Sequence, residues 1–300
     1  MTRSNGLLLL DKPAGMTSHD VVARVRKILG ERRVGHAGTL DPMATGLLVV
    51  AVGPSTRLLR FAQSEVKRYS GTVKFGVATD SLDADGAVTE VGAVPELSDE
   101  SVLRVTEEMI GTQLQIPPMV SAIKVGGRRL HELARQGVEV EREPRQITVS
   151  EFVLAESDDP TVWAFEVECS VGTYVRVLLS DLAVRLGTIG HLTSLRRLSS
   201  GRHHVDQAMT LESLASAVEG GNDPLGAPAL FTVALEHVVI GSEDEDRMRK
   251  GQQVDLEARF VGPEIAALDS SGSLLGILKR RGERWQPELV LPSSVEVERG

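Results

Sequence analysis

Apolar positions in this chain fall into short runs and periodic stretches, and each predicts an element. Residues 6–10 form an apolar run stopped by Asp11 and Lys12, and residues 46–52 form another stopped by Gly53 and Pro54. Runs this short, closed by turn residues, predict buried strands. Between them Val21, Val22, Val25, Ile28 and Leu29 recur at helical spacing, with Ser18 placed to cap the helix and Gly30 to end it. Residues 35–42 predict a glycine-rich loop. Tyr69, Gly71, Val73 and Phe75 alternate with Ser70, Thr72 and Lys74, the period of a half-buried strand. Further along, the pattern predicts a loop over 80–86, a helix over 98–110, a turn at Gly126 and Gly127, and a short helix near 130–136. Strands follow over 147–155 and 163–169. Val177, Leu178, Leu182 and Leu186 then carry a helix over 174–186.

After Gly201 the texture changes. Residues 210–218 fit a helix, and 220–228 are rich in Gly, Pro and Asn, the best boundary in the chain. Short apolar segments at 238–240, 264–268, 274–278 and 288–291 are separated by turn residues and predict a small β-barrel or sandwich. Before that point strands and helices mix without strict β-α alternation, which favours an α+β class over a doubly wound sheet.

Composition narrows the class. The 300 residues are 41% hydrophobic and 25% charged, which is globular rather than disordered, and the length accommodates two domains. No apolar run approaches the length of a membrane-spanning helix, and the first run lacks a cleavage site, so a strand is expected there and not a signal peptide. A single cysteine, Cys169, excludes an internal disulfide and a multi-cysteine zinc site and points to a reducing cytoplasm.

Charge changes the picture more. The formal net charge of -9 argues against a polyanion partner when taken alone. Its distribution argues the other way. Residues 1–74 hold 12 basic and 5 acidic side chains and residues 121–150 hold 6 and 4, so two basic stretches interrupt an acidic chain. They are what a phosphate-binding face requires, although solvated surfaces also vary in charge by chance.

The most informative segment for chemistry is 35–42, Gly-His-Ala-Gly-Thr-Leu-Asp-Pro. Its glycines permit positive φ or a close ligand approach, and Pro42 pushes Asp41 toward an extended conformation. A partly desolvated Asp41 on a rigid loop suits nucleophilic or acid–base work; taken by themselves, the residues favour the simpler reading, an Asp-Pro pair that merely starts a turn. No Gly-Lys-Ser/Thr follows, so this is not a P-loop. Residues 80–86 imitate a calcium loop, but the first ligand position falls on Ser81 and the twelfth on Gly92, which leaves a solvated turn. His203 and His204 lack a third ligand nearby, and no metal site is expected. Tyrosine is scarce, with only Tyr69 and Tyr174. Tyr69 follows Lys67 and Arg68, where a ring can stack on a base while cations hold phosphate. Arg176, two residues after Tyr174, would keep a nearby buried carboxylate ionised. A core edge with a satisfied hydroxyl is the other reading of either tyrosine.

Taken in order, residues 7–16, 35–46, 67–69, 79–86, 117–129, 172–176 and 195–198 closely resemble the bacterial tRNA pseudouridine-55 synthases of the TruB type. The resemblance covers most of residues 5–215, and roughly 230–295 looks like a PUA-type RNA-binding domain. It implies a pseudouridine-synthase fold with a mixed, largely antiparallel sheet and flanking helices. The expected division is a catalytic domain over 1–220, with an RNA-gripping insertion near 120–145, and a small all-β PUA-like domain over 229–296. The implied reaction isomerises one uridine of the tRNA T-loop to pseudouridine without metal or organic cofactor. By the same match Asp41 is the catalytic carboxylate and Arg176 its partner. Tyr69 stacks on the uracil, Tyr174 lines its pocket, Leu195 lies against the base, and His36 packs into the loop as the nucleotide flips out. Lys12, Lys67, Arg68, Lys124, Arg128 and Arg129 are the expected RNA contacts. The expected partner is the tRNA T-stem-loop, met by a monomer without membrane or guide RNA. The short N-terminus and absence of lysine-rich tails favour this stand-alone type over guide-RNA-dependent synthases, and an intact Asp41, Tyr69 and Arg176 set disfavours a protein that only folds tRNA.

Overall fold

The computed structural model of the chain describes residues 5–62, 66–121, 124, 125, 127–130, 133, 136–256 and 260–292. The chain forms two units. One comprises Met1–Pro42, Leu47–Gln63 and Arg202–Gly300, the other Met43–Gly46 and Ser64–Gly201.

In the first unit, strands β1 (Gly6–Lys12) and β2 (Val34–Ala37) flank β3 (Thr45–Val52), which belongs to this unit from Leu47 on, with β2 antiparallel to it. The apolar run of β3 is buried on both faces, as a strand covered from two sides must be. Its even residues Leu48, Val50 and Val52 meet Val21, Val22 and Val25 of helix α1 (Ser18–Leu29). Its odd residues Leu47, Val49 and Ala51 share a core with Phe231, Ala266, Ile277 and Leu289 near the C-terminus. The cap of α1 is Thr17 and not Ser18: Thr17 and Asp20 form a capping box, which frees the Ser18 side chain for another use. Part of the expected 35–42 loop is strand, since Gly35–Ala37 continue β2. The expected boundary at 220–228 is not a free tether, because Gly226 exchanges both backbone hydrogen bonds with Leu7, at 2.9 and 2.8 Å.

The second unit is a sheet with helices. Its elements are β4 (Val66–Phe75), β5 (Val77–Thr79), β6 (Val88–Val91), α2 (Asp99–Glu108), β7 (Gly111–Gln115), β8 (Lys124–Val125), β9 (Arg128–Arg129), β10 (Arg145–Glu156), β11 (Val162–Ser170), α3 (Val175–Arg185) and β12 (Gly190–Ser200). The sheet runs β12-β4-β11-β10-β7 with every neighbouring pair antiparallel. Thr45 and Gly46, the start of β3, pair in parallel with Arg196 and Arg197 of β12. This is the mixed, largely antiparallel α+β architecture expected. The helix expected near 130–136 lies partly outside the described residues; Leu130 and Leu133 are helical.

Returning to the first unit, the short strand β13 (His203–His204) precedes helix α4 (Leu211–Glu219), which packs on α1. Strand β14 (Glu236–Val239), helix α5 (Ser242–Arg249), β15 (Glu264–Leu268), β16 (Leu274–Arg281) and β17 (Arg284–Val290) follow, and the four strands form one sheet in that order. The expected strands are present; the helix between them was not expected.

Candidate active site

Asp41 sits in the first unit, between two residues whose backbones are tied down. Ser18 is fully buried, and its hydroxyl donates to the Leu40 carbonyl at 3.1 Å while accepting from the Leu40 N–H at 2.9 Å. On the other side, the fully buried Lys12 donates through Nζ to the carbonyls of Pro42 at 3.2 Å, Met16 at 2.6 Å and Pro13 at 2.9 Å. The Gly15 N–H also donates to Pro42, at 2.9 Å. Gly38 takes φ +84, so the turn out of β2 needs the left-handed conformation that glycine adopts freely. The result is a partly exposed carboxylate on a segment pinned by the end of β1 and the start of α1. His36, on β2, meets the ring of His19 edge-on at 5.4 Å.

The second unit holds Tyr69, Tyr174, Arg176 and Leu195. Tyr69 is buried on β4, opposite Val167 on one side and Arg197 on the other. Leu195 is buried on β12, and its carbonyl accepts from the Thr45 hydroxyl at 3.4 Å. Tyr174 is the cap residue of α3. Arg176, in the first turn, is buried and donates to the carbonyls of Ser81 at 2.7 Å and Val120 at 2.9 Å. Its guanidinium lies 3.3 Å from the carboxylate of Asp83, which is only 5% exposed. Asp83 is therefore no part of a solvated turn, and a buried carboxylate beside Arg176 is present. The turn is strained beside this buried carboxylate: Leu82 has φ 63, the only positive φ at a non-glycine among the described residues.

The expected RNA contacts divide. Lys12 is spent on three carbonyls and fully buried, so its ammonium faces no phosphate. Lys67 is 8% exposed, and burial, then the Arg197 charge, push its pKa down to about 8. Arg68 points to the opposite face from Tyr69, as successive strand residues must, and pairs there with Glu166 at 2.9 Å and Glu151 at 3.2 Å. It thus does not share a face with Tyr69. Arg128 is exposed and donates to Gln136 at 2.6 Å. Lys124 and Arg129 lie on the paired strands β8 and β9, and their side chains are outside the described residues. Among the described residues no group of three or more His, Cys, Asp or Glu is arranged to hold a metal ion.

Ser18 and Asp83 escaped sequence reasoning. Ser18 reads as a helix cap, the commonest use of that residue type at that place. Asp83 stands among Asp80 and Asp85 in a polar turn, and only the need of a buried arginine for an anion singles it out.

Comparison with known proteins bears on what this arrangement does. The TruB family pseudouridylate synthase (N terminal domain) matches residues 26–175, a span containing Asp41, Tyr69, Asp83 and Tyr174. The chain belongs to this family. As a pseudouridylate synthase it is an isomerase. Over 292 residues it is 44% identical to the tRNA pseudouridine synthase B of Rhodococcus jostii, covering 95% of this chain and 93% of that one. It is 40% identical to the tRNA pseudouridine synthase B of Streptococcus pneumoniae serotype 4 over 95% of this chain and 99% of that one. Among solved structures, the crystal structure of a Cbf5-Nop10-Gar1 complex aligns at TM-score 0.75 and 24% identity over 97% of this chain and 86% of that one. At that identity the likeness is one of fold, and it agrees with the TruB-type architecture described above.

Proposed function

We propose that this TruB-family enzyme converts uridine 55 in the T-loop of tRNA to pseudouridine, with Asp41 as its catalytic carboxylate and no cofactor. The observation that carries the reading is the doubly pinned Asp41 segment in a chain 44% identical to a tRNA pseudouridine synthase B along nearly its full length. The chemistry agrees. The N1–C1′ bond of the uridine breaks and a C5–C1′ bond forms, C5 giving up a proton and N1 ending with one. Nothing is oxidised and no group is gained, so the balance needs no co-substrate. A carboxylate fits the task because charge develops at the sugar carbon as the glycosidic bond loosens, as in glycoside cleavage. Water has to be kept from that carbon, or the base is lost to hydrolysis.

The target nucleotide is flipped out, because a stacked base hides C5 and C1′. In this reading Tyr69 stacks on the uracil, Tyr174 and Leu195 border it, and His36 fills the space left in the loop. Arg176 is the expected partner of Asp41 and, through its contact with Asp83, is held as a fixed cation. The RNA is gripped through Arg128 and the neighbouring insertion. The test is incubation with a tRNA transcript and no guide RNA, followed by nucleoside analysis and mapping of the modified position. Pseudouridine at position 55 is expected, and none in a transcript with cytidine there. Modification elsewhere, or only with an added guide RNA, overturns the assignment.

A further inference from the structure

Helix α3 begins without the usual device for its start. Tyr174 is the cap residue, and no side chain within the helix caps it. A capping box would use the residue three positions on to accept the cap N–H, but that residue is Val177, which has no acceptor. The missing bond comes from elsewhere. Gln115, at the end of β7 and only 4% exposed, accepts from the Tyr174 N–H through Oε1 at 2.8 Å. It also donates from Nε2 to the Tyr174 carbonyl at 3.1 Å. That carbonyl already takes the first helical bond, from the Leu178 N–H at 3.1 Å. A backbone N–H can only donate and a carbonyl only accept, so the amide of Gln115 fits one way round and no other. The segment after Gln115 adds to the grip, since the Val120 carbonyl holds Arg176.

We propose that Gln115 is a positioning residue for Tyr174, fixing its backbone from both sides so that ring and Arg176 leave α3 in one direction. The inference rests on the reading of Tyr174 as a pocket residue in uridine isomerisation. Neither end of the amide is replaceable by an apolar group, and a carboxylate replaces only one: ionised, it accepts the Tyr174 N–H but sets a second oxygen against the carbonyl. Protonated, it restores both bonds.

The test uses the full chain with tRNA transcript under single-turnover conditions, beside tRNA affinity, thermal melting and hydrogen exchange at the Tyr174 amide. Gln115→Leu is expected to slow isomerisation about 10- to 100-fold, the scale of a misplaced site residue, with tRNA affinity within about threefold. The Tyr174 amide is expected to exchange faster. Gln115→Glu separates positioning from bulk stability. Burial raises the pKa of its carboxyl, so its rate relative to the natural enzyme should climb as pH is lowered from about 8 to about 6. Turnover of Gln115→Leu within about twofold of the natural enzyme overturns the proposal. So does a loss matched by equal losses in affinity and melting, or a Gln115→Glu profile parallel to the natural one. If Gln115→Leu does not fold, the isosteric Gln115→Glu decides alone. If the natural enzyme makes no pseudouridine, the functional reading falls, while unchanged exchange at the Tyr174 amide in Gln115→Leu, which has no acceptor for that N–H, separately overturns the clamp.

Discussion

Asp41 serves the proposed reaction only as an anion held in place, and its two neighbours show how the holding is done. Ser18 ties both polar groups of Leu40, and Lys12 reaches the carbonyl of Pro42. Asp41→Asn keeps the shape and removes the anion. Pseudouridine is expected to become undetectable by nucleoside analysis, while tRNA binding in a filter assay persists or tightens, because a negative charge facing phosphates is gone. Full activity of the variant ends the assignment. A second residue-scale expectation concerns Lys67. Its pKa falls from 10.5 to about 8 through burial and the Arg197 charge, so between those values the unfolded chain binds the extra proton and stability rises with pH. Below about 8 the buried ammonium carries its full cost, up to about 3 kcal/mol by the usual conversion. Lys67→Met is thus expected to raise stability at pH 7, with the gain shrinking as pH climbs past 8. The neighbouring Cys169 thiol is pushed up to about 11 by burial and gives the opposite slope above pH 9, in natural chain and variant alike. Denaturant unfolding at pH 7, 8 and 9 checks this, and a gain that stays flat over that range refutes it. At this scale the sequence singles out Asp41 and Arg176 as candidates, because loop glycines and a proline surround one and a scarce tyrosine marks the other. Ser18, Asp83 and Gln115 were not, because their partners are distant backbone groups or an arginine far along the chain.

Elements were legible where apolar runs or strict periods mark them, as in β1, β3, β4, α1 and α3. Others were not, and two of them show different physical reasons. Strand β12 carries register shifts between Leu192 and Ser194 and between Arg197 and Ser199, so its alternation is broken twice although it lies inside the sheet. Helix α5 has almost no apolar stripe and buries only Met248. Acidic residues in its first turn, basic ones in its last, and pairs four apart such as Arg247–Glu243 and Arg249–Glu245 favour it instead. Within the second unit, the pairing of Gly46 with Arg197 leaves no room for a side chain. Gly46 has φ +96, and a Cβ there would lie 2.3 Å from the Arg197 carbonyl oxygen and 2.7 Å from its nitrogen. Backbone cannot yield as a side-chain tip can, so Gly46→Ala should cost about 3 kcal/mol or more. It should also lower turnover, since Asp41 stands five residues upstream. Thermal melting and single-turnover rate check the two effects, and a melting temperature equal to that of the natural chain excludes this account.

On the scale of the whole molecule, sequence order and packing part company. A Gly-, Pro- and Asn-rich stretch reads as a tether, yet Gly226 within it is bonded to β1, and Phe231, Ile277 and Leu289 complete the core that Leu7 and Val49 begin. Turn-forming composition reports what the backbone can do and not what it lies against, which is why the docking was invisible in the sequence. Charge behaves in a comparable way: the total of -9 conceals the basic excess of residues 1–74. Lys12 and Lys67 from that stretch are buried and Arg68 is paired, but Arg24, Lys27, Arg32 and Arg33 are exposed, and none of these four has an ion pair among the described residues. If exposed cations such as these neutralise several phosphates, binding releases counterions. Affinity for tRNA then falls with salt along a log–log slope of about -2 or steeper, despite the acidic total. Titration of the natural chain with labelled tRNA at several salt concentrations measures that slope. Replacing Arg24 and Lys27 with glutamine should flatten it by up to about one for each phosphate no longer neutralised. A natural-chain slope near zero would mean that net charge, and not its placement, governs the encounter.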